Sequence, residues 1–188
     1  MAVPSFMVPL GTPAADFALP SVAGGEVKLA DLTGDALLVV FLSNHCPYVR
    51  HIESALAATV AEYADRGLAA VAVCSNDAVA YPDDGKPGLS EQVERAGFTF
   101  PYLLDESQEV ARAYRAACTP DFFLYDRQRR LAYRGAFDAS TPGNGVPVTG
   151  DLLRAAIEHM LRGEAVPEPH RPSLGCSLKW KPGNAPPS

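Results

Sequence analysis

The chain has 188 residues, 22 acidic against 16 basic side chains and a net charge of −6, with 47% apolar residues. That length suits about one large domain with a full hydrophobic core. The acidic balance, without any basic cluster, argues against a nucleic-acid or anionic-membrane partner.

Met1–Leu10 has no basic region and no apolar run of signal-peptide length, and no stretch approaches the ~20 apolar residues of a membrane span. A cytoplasmic protein is expected. Cys46, Cys74, Cys118 and Cys176 are scattered without paired zinc-ligand spacing, and His45, His51, His159 and His170 form no companion cluster. Neither a metal nor a cofactor is expected. In a reducing compartment such thiols are redox-active or buried rather than bridged.

Residues 1–35 read as a lead-in of short strands, with Pro13, Pro20 and Gly24-Gly25 marking turns. Leu37–Leu42 is a short, continuous apolar run, the pattern of a strand buried on both faces. Pro47 opens a helix to about Arg66, with Val49, Ile52, Leu56, Val60 and Tyr63 at helical spacing and Gly67 as its stop. Leu68–Val73 is a second buried strand, joined in parallel by a right-handed crossover and ending in Cys74-Ser75-Asn76-Asp77. Loops at the carboxyl ends of adjacent parallel strands share one edge, where open α/β sheets place their sites. Cys74 lies near that edge and reads as a small apolar residue. Tyr81–Gly88 is rich in turn formers and reads as a solvated loop, Asp83 and Asp84 included.

Ser90 opens a helix to Ala96, ended by Gly97. Phe98–Leu104 is extended, and Asp105 or Ser107 caps a helix over about Gln108–Ala116. Cys118-Thr119-Pro120 leads into the strand Asp121–Tyr125, and Arg127–Arg130 is a solvated tip before the strand Leu131–Gly135. Ser140–Pro147 is a loop, Asp151–Arg162 an amphipathic closing helix, and the tail is Pro-rich. Leu174, Leu178 and Trp180 predict that residues 172–181 pack back on the domain while the last few fray. The domain plan is 1–35 extension, 36–163 core and 164–188 tail.

The chemistry centres on Leu37–Glu53: strand, tight turn, helix, with Cys46 at the helix start. Backbone N–H groups and about half a positive charge gather there, which stabilises a thiolate and predicts a thiol pKa below the free value of about 8.5. Cys46 is therefore the candidate nucleophile.

Ser43-Asn44-His45-Cys46-Pro47-Tyr48-Val49 resembles the motif Cys-Asn-His-Cys-Pro-Tyr-Val of a bacterial branch of the thioredoxin-like superfamily, the AhpC/TSA (peroxiredoxin) and TlpA-like group. Residues 118–124 and 172–181 resemble further segments of the same branch. The resemblance implies a thioredoxin-like α/β fold: a central mixed sheet flanked by helices, with an N-terminal hairpin extension and a packed tail. It implies a cis bond at Thr119-Pro120, held against Cys46, and site residues Ser43, His45, Cys46, Thr119 and Pro120. Two positions depart from the pattern. Ser43 stands where the branch usually carries the first Cys, which matches the Ser or Thr that peroxiredoxins place three residues before their reactive Cys. Thr119-Pro120 stands in the region where peroxiredoxins place an Arg, with Arg50 and Arg115 as substitutes by sequence proximity.

Two chemistries stay open for Cys46, thiol peroxidase and thiol–disulfide exchange, and a third reading is an inert thioredoxin-fold adaptor. The implied partners are a peroxide or disulfide substrate and a thiol donor such as thioredoxin or a low-molecular-weight thiol, with no nucleic acid and no membrane. Ser43 cannot resolve an oxidised Cys46. Loop placement favours Cys118 as the resolving thiol, tail mobility favours Cys176, and Cys74 trails both.

Overall fold

Turn residues break the lead-in into short strands in the computed structural model, which describes residues 1–187. After β1 (Ala2–Pro4), the strands β2 (Ala18–Pro20) and β3 (Glu26–Lys28) pair as an antiparallel hairpin. Gly24 and Gly25 turn it at φ 100° and 74°, a backbone region where a side chain is strained.

The central strand β4 (Ala36–Phe41) is buried at all six positions. Leu38 and Val40 enter one apolar cluster and Leu37, Val39 and Phe41 the other, so the run is unbroken because both faces are covered. Helix α1 (Pro47–Ala64) follows, then β5 (Leu68–Cys74), parallel to β4 with Val39 opposite Val71. Helix α2 (Lys86–Ala96) and β6 (Tyr102–Leu104) extend the sheet in parallel on that side. Helix α3 (Glu109–Tyr114) leads to β7 (Cys118–Thr119) and β8 (Asp121–Tyr125), the latter antiparallel to β4. Strand β9 (Leu131–Gly135) completes the order β6-β5-β4-β8-β9, and helix α4 (Asp151–Leu161) closes the face that α1 covers.

The tail packs back as predicted. Strand β10 (Leu174–Ser177) lies between β1 and β7, antiparallel to both, with Cys176 opposite Thr119. Beyond it the chain straps across the strand ends: Leu178 N–H donates to Ala117 O, Asp77 N–H to Lys179 O, and Lys181 N–H to Gln108 Oε1. Of the last residues, expected to fray, Ser188 lies outside the described residues.

Three local readings are corrected. Helix α2 starts at Lys86, four residues before Ser90, because Gly85 and Pro87 set up its first turn and Ser90 Oγ donates back to Lys86 O. The third helix is shorter than predicted, with Gln108 as its N-cap and the Asp105 carboxylate accepting from the Ala111 N–H at 2.9 Å. At the Arg127–Arg130 tip, Arg129 is half-buried and donates to the Leu32 carbonyl at 2.7 Å. It ties the tip to the lead-in.

Candidate active site

The turn between β4 and α1 places Cys46 as the N-cap of α1, with extended backbone and Pro47 at the first helical position. Its carbonyl accepts the first helical N–H groups, from Val49 and Arg50. Its own N–H donates to Ser43 Oγ at 3.2 Å, and its thiol donates to the Thr119 carbonyl at 3.1 Å. The Thr119-Pro120 bond is cis, and Thr119 Oγ1 lies 3.5 Å from Ser43 Oγ. Ser43, Cys46, Thr119 and Pro120 thus meet at the carboxyl end of β4, and His45 flanks them.

Side chains on a strand alternate faces. Thr119 faces Ser43, and Cys176, its direct partner across the β10–β7 ladder, packs into the same apolar cluster as Cys46. Burial, reinforced by the nearness of Cys46, pushes the Cys176 thiol up to about 11, so it keeps its proton near neutrality. Cys118 is one residue out of phase: its thiol sits 3.6 Å from the Pro120 carbonyl, and burial pushes it up, reinforced by Asp121 and by the nearness of Cys46 and Cys176. Of the two resolving candidates, Cys176 is the one set opposite Thr119 in the ladder and packed with the apolar cluster of Cys46. Cys74 stands at the end of β5 with its thiol 4.0 Å from the Asp84 carbonyl, and burial holds it protonated.

A buried polar network fixes the turn. Gln92 Nε2 donates to the Ser43 carbonyl (3.0 Å) and to Glu53 (3.2 Å), and Arg95 pairs with Glu53 (2.7 Å) while donating to Asn44 Oδ1 (2.8 Å). Asn44 Nδ2 donates to the carbonyls of Asp83 and Gly88. Glu53 was legible as an anomaly, a charge between Val49 and Leu56 on the apolar stripe of α1.

The solvated-loop reading of Tyr81–Gly88 fails at Asp84, which is 1% exposed. Asp84 accepts from the Asn44 N–H (2.7 Å), from Asn76 Nδ2 (2.9 Å) and from His45 Nδ1 (2.6 Å). Burial alone would raise its carboxyl, but these donors outweigh burial and hold it below its ordinary range. The loop follows β5, so the shared-edge rule that located Cys74 also locates Asp84.

The cationic substitutes do not face the sulfur. Arg50 Nε donates to the Asn44 carbonyl at 2.7 Å, and Arg115 is exposed at the end of α3. Cys46 itself has no exposed surface, closed over by its neighbours. A shallow cleft of about 60 Å³ opens beside Pro120, lined by Tyr48, Ile52, Ser173 and Leu174. A larger groove of about 750 Å³ lies at the opposite end of β4, around Asp35, Arg127 and Arg162.

A model of the AhpC/TSA family matches residues 10–134. Two solved structures superpose on nearly the whole chain. One is an uncharacterized conserved protein from Geobacillus kaustophilus (TM-score 0.95, 48% identity, 97% of this chain and 98% of that one). The other is a hypothetical protein from Sinorhizobium meliloti (0.94, 51%, 96% and 99%). A curated relative, thiol-disulfide oxidoreductase ResA of G. kaustophilus, is 29% identical over 129 residues. That alignment covers 64% of this chain and 65% of the relative, so the chain spans just under two thirds of its length. A putative thiol:disulfide interchange protein DsbE from Chlorobium tepidum shares the thioredoxin-like fold (TM-score 0.66, 24% identity, 81% and 98% covered).

Proposed function

We propose that this chain, which belongs to the AhpC/TSA family, is a thiol–disulfide oxidoreductase whose redox pair is Cys46 and Cys176. The observation that carries the reading is the register that sets Cys176 opposite Thr119, whose carbonyl accepts from the Cys46 thiol. Dithiol exchange needs a second sulfur to release the mixed disulfide, and Ser43 supplies none. The tail supplies it instead. Cys46, at the N-terminus of α1, attacks one sulfur of a substrate disulfide and expels the first thiolate. Cys176 then attacks the Cys46 sulfur, forms the internal disulfide and expels the second. A thiol donor such as thioredoxin or a low-molecular-weight thiol returns the pair to the dithiol state. A substrate sulfur reaches buried Cys46 only when β10 gives way, and β10 is four residues long with two paired to β7. Four unbridged cysteines suit a reducing compartment, and cytoplasmic placement is part of the reading.

Peroxide is the weaker substrate. A developing oxyanion needs a preorganised donor, whereas the Cys46 thiol faces a carbonyl, which only accepts. The test is non-reducing peptide mapping after one equivalent of bis(2-hydroxyethyl) disulfide. A Cys46–Cys176 bridge is expected in the wild type and in Cys118→Ser, with a stalled mixed disulfide on Cys46 in Cys176→Ser. A Cys46–Cys118 bridge would overturn the pairing. A chain that reacts with neither this disulfide nor peroxide is the inert adaptor.

A further inference from the structure

A carboxylate kept ionised in the interior costs several kcal/mol unless it is paired and hydrogen-bonded. Asp84 is such a carboxylate, and its partner is the half-buried imidazole beside the nucleophile. Because the carboxylate only accepts, the hydrogen on the 2.6 Å contact belongs to His45 Nδ1. The tautomer is therefore fixed, and Nε2 is the free end of the ring.

The rest of the surroundings hold the ring in place. It stacks on Tyr81 with centroids 5.1 Å apart and planes 14° from parallel, and Lys179 Nζ approaches the same tyrosine at 5.9 Å. Asn44 and Asn76, which donate to Asp84, are themselves held by Arg95 and by the Lys179 N–H. The charged and titratable groups around His45 are thus Asp84 and Tyr81 from the loop, Cys74 behind Asp84, Lys179 from the tail, and Cys46 and Arg50 from α1. Asp84 is the one carboxylate bonded to the ring. With Nδ1 committed to Asp84, Nε2 is the ring nitrogen left to exchange a proton, one residue from the nucleophile.

Resting on the thiol-exchange reading, we propose that His45, oriented by Asp84, is the acid–base group of the reaction. Neutral His45 accepts the Cys46 proton at Nε2 as the thiol leaves the Thr119 carbonyl for the substrate. The Cys46 thiolate attacks one sulfur of R–S–S–R′, the S–S bond breaks, and R′S⁻ takes the proton from His45 Nε2 and leaves as R′SH. Neutral His45 next accepts the proton of Cys176 as that sulfur attacks Cys46, and passes it to the departing RS⁻. Two thiols become one internal disulfide, and the substrate disulfide becomes two thiols. Asp84 carries no proton at any stage. It acts as a positioning residue, holding the ring and stabilising its cation.

The test compares two neutral disulfides that differ in the leaving group: bis(2-hydroxyethyl) disulfide, whose alkyl thiolate needs a proton to leave, and bis(4-nitrophenyl) disulfide, whose thiolate leaves unprotonated. Single-turnover rates are measured for the wild type, His45→Ala and Asp84→Asn. A lost general acid lowers the ratio of alkyl to aryl rates by about 10²-fold in His45→Ala. Added imidazole restores that ratio, and Asp84→Asn lowers it in the same direction. A ratio equal to the wild type's, with both rates depressed alike, would make His45 structural and overturn the proposal while leaving exchange intact. A wild type inert toward both disulfides would instead sink the exchange reading itself.

Discussion

Gly175 is the point where the tail presses hardest on the site. A Cβ built there would lie 2.0 Å from the Thr119 carbonyl oxygen, 2.6 Å from its carbon and 3.1 Å from Pro120 N. Ordinary contact begins near 3.4 Å, so Gly175→Ala moves β10 away from β7 by about 1.4 Å or distorts the Thr119-Pro120 backbone. Neither is a flexible side chain that can yield. A shift of that size exceeds what a ladder hydrogen bond of about 2.9 Å tolerates. It separates the Cys176↔Thr119 pair and loosens the Leu178 N–H to Ala117 O bond. Overpacking of this kind costs about 1–3 kcal/mol. For a chain of this size that lowers the melting temperature by roughly 2–12 °C. Calorimetry of the reduced protein measures the fall. Alkylation by iodoacetamide measures the second consequence, faster modification of Cys46 once β10 no longer covers it. A melting temperature and a Cys46 alkylation rate both equal to the wild type's would refute the claim that Gly175 seats β10 on the site.

Two further outcomes follow from the same geometry. Ser43 Oγ sits 3.2 Å from the Cys46 N–H, so Ser43→Cys should divert the oxidised bridge from Cys176 to position 43, and peptide mapping that still finds only Cys46–Cys176 counts against the placement of Ser43. Asp121 is fully buried with Oδ1 unpartnered, and burial pushes its carboxyl up to about 7 despite the Ala117 N–H that donates to Oδ2. A raised acid favours the folded state fully below its unfolded value, near 4, and that contribution is lost as pH rises toward 7, by at most about 1.4 kcal/mol per pH unit. Urea titrations of Asp121→Asn between pH 4 and 7 should lack this one-group slope, and a slope identical to the wild type's would refute the assignment.

The sequence alone determined the parts of this protein that repeat along the chain. Leu37–Leu42 and Leu68–Val73 had to be interior strands because apolar runs of that length need cover on both faces. Pro47 and the spacing from Val49 to Tyr63 fixed the start and buried side of α1, and therefore Cys46 at its N-terminus. The motif residues carried Ser43, His45 and Pro120 to the same place. Three-dimensional structure decided what no period encodes. Cys118 and Cys176 look comparable as partners in sequence, and only the register of β10 against β7 sets Cys176 opposite Thr119 and Cys118 opposite Ser177. A slip of one residue would exchange those placements, and cross-strand register is set by contacts between segments more than 50 residues apart. Asp84 looked solvated for a related reason. Turn formers report local backbone geometry, whereas burial depends on what packs over the loop: here Asn44, Asn76 and His45, whose three hydrogen bonds turned an ordinary loop aspartate into the anchor of the candidate acid.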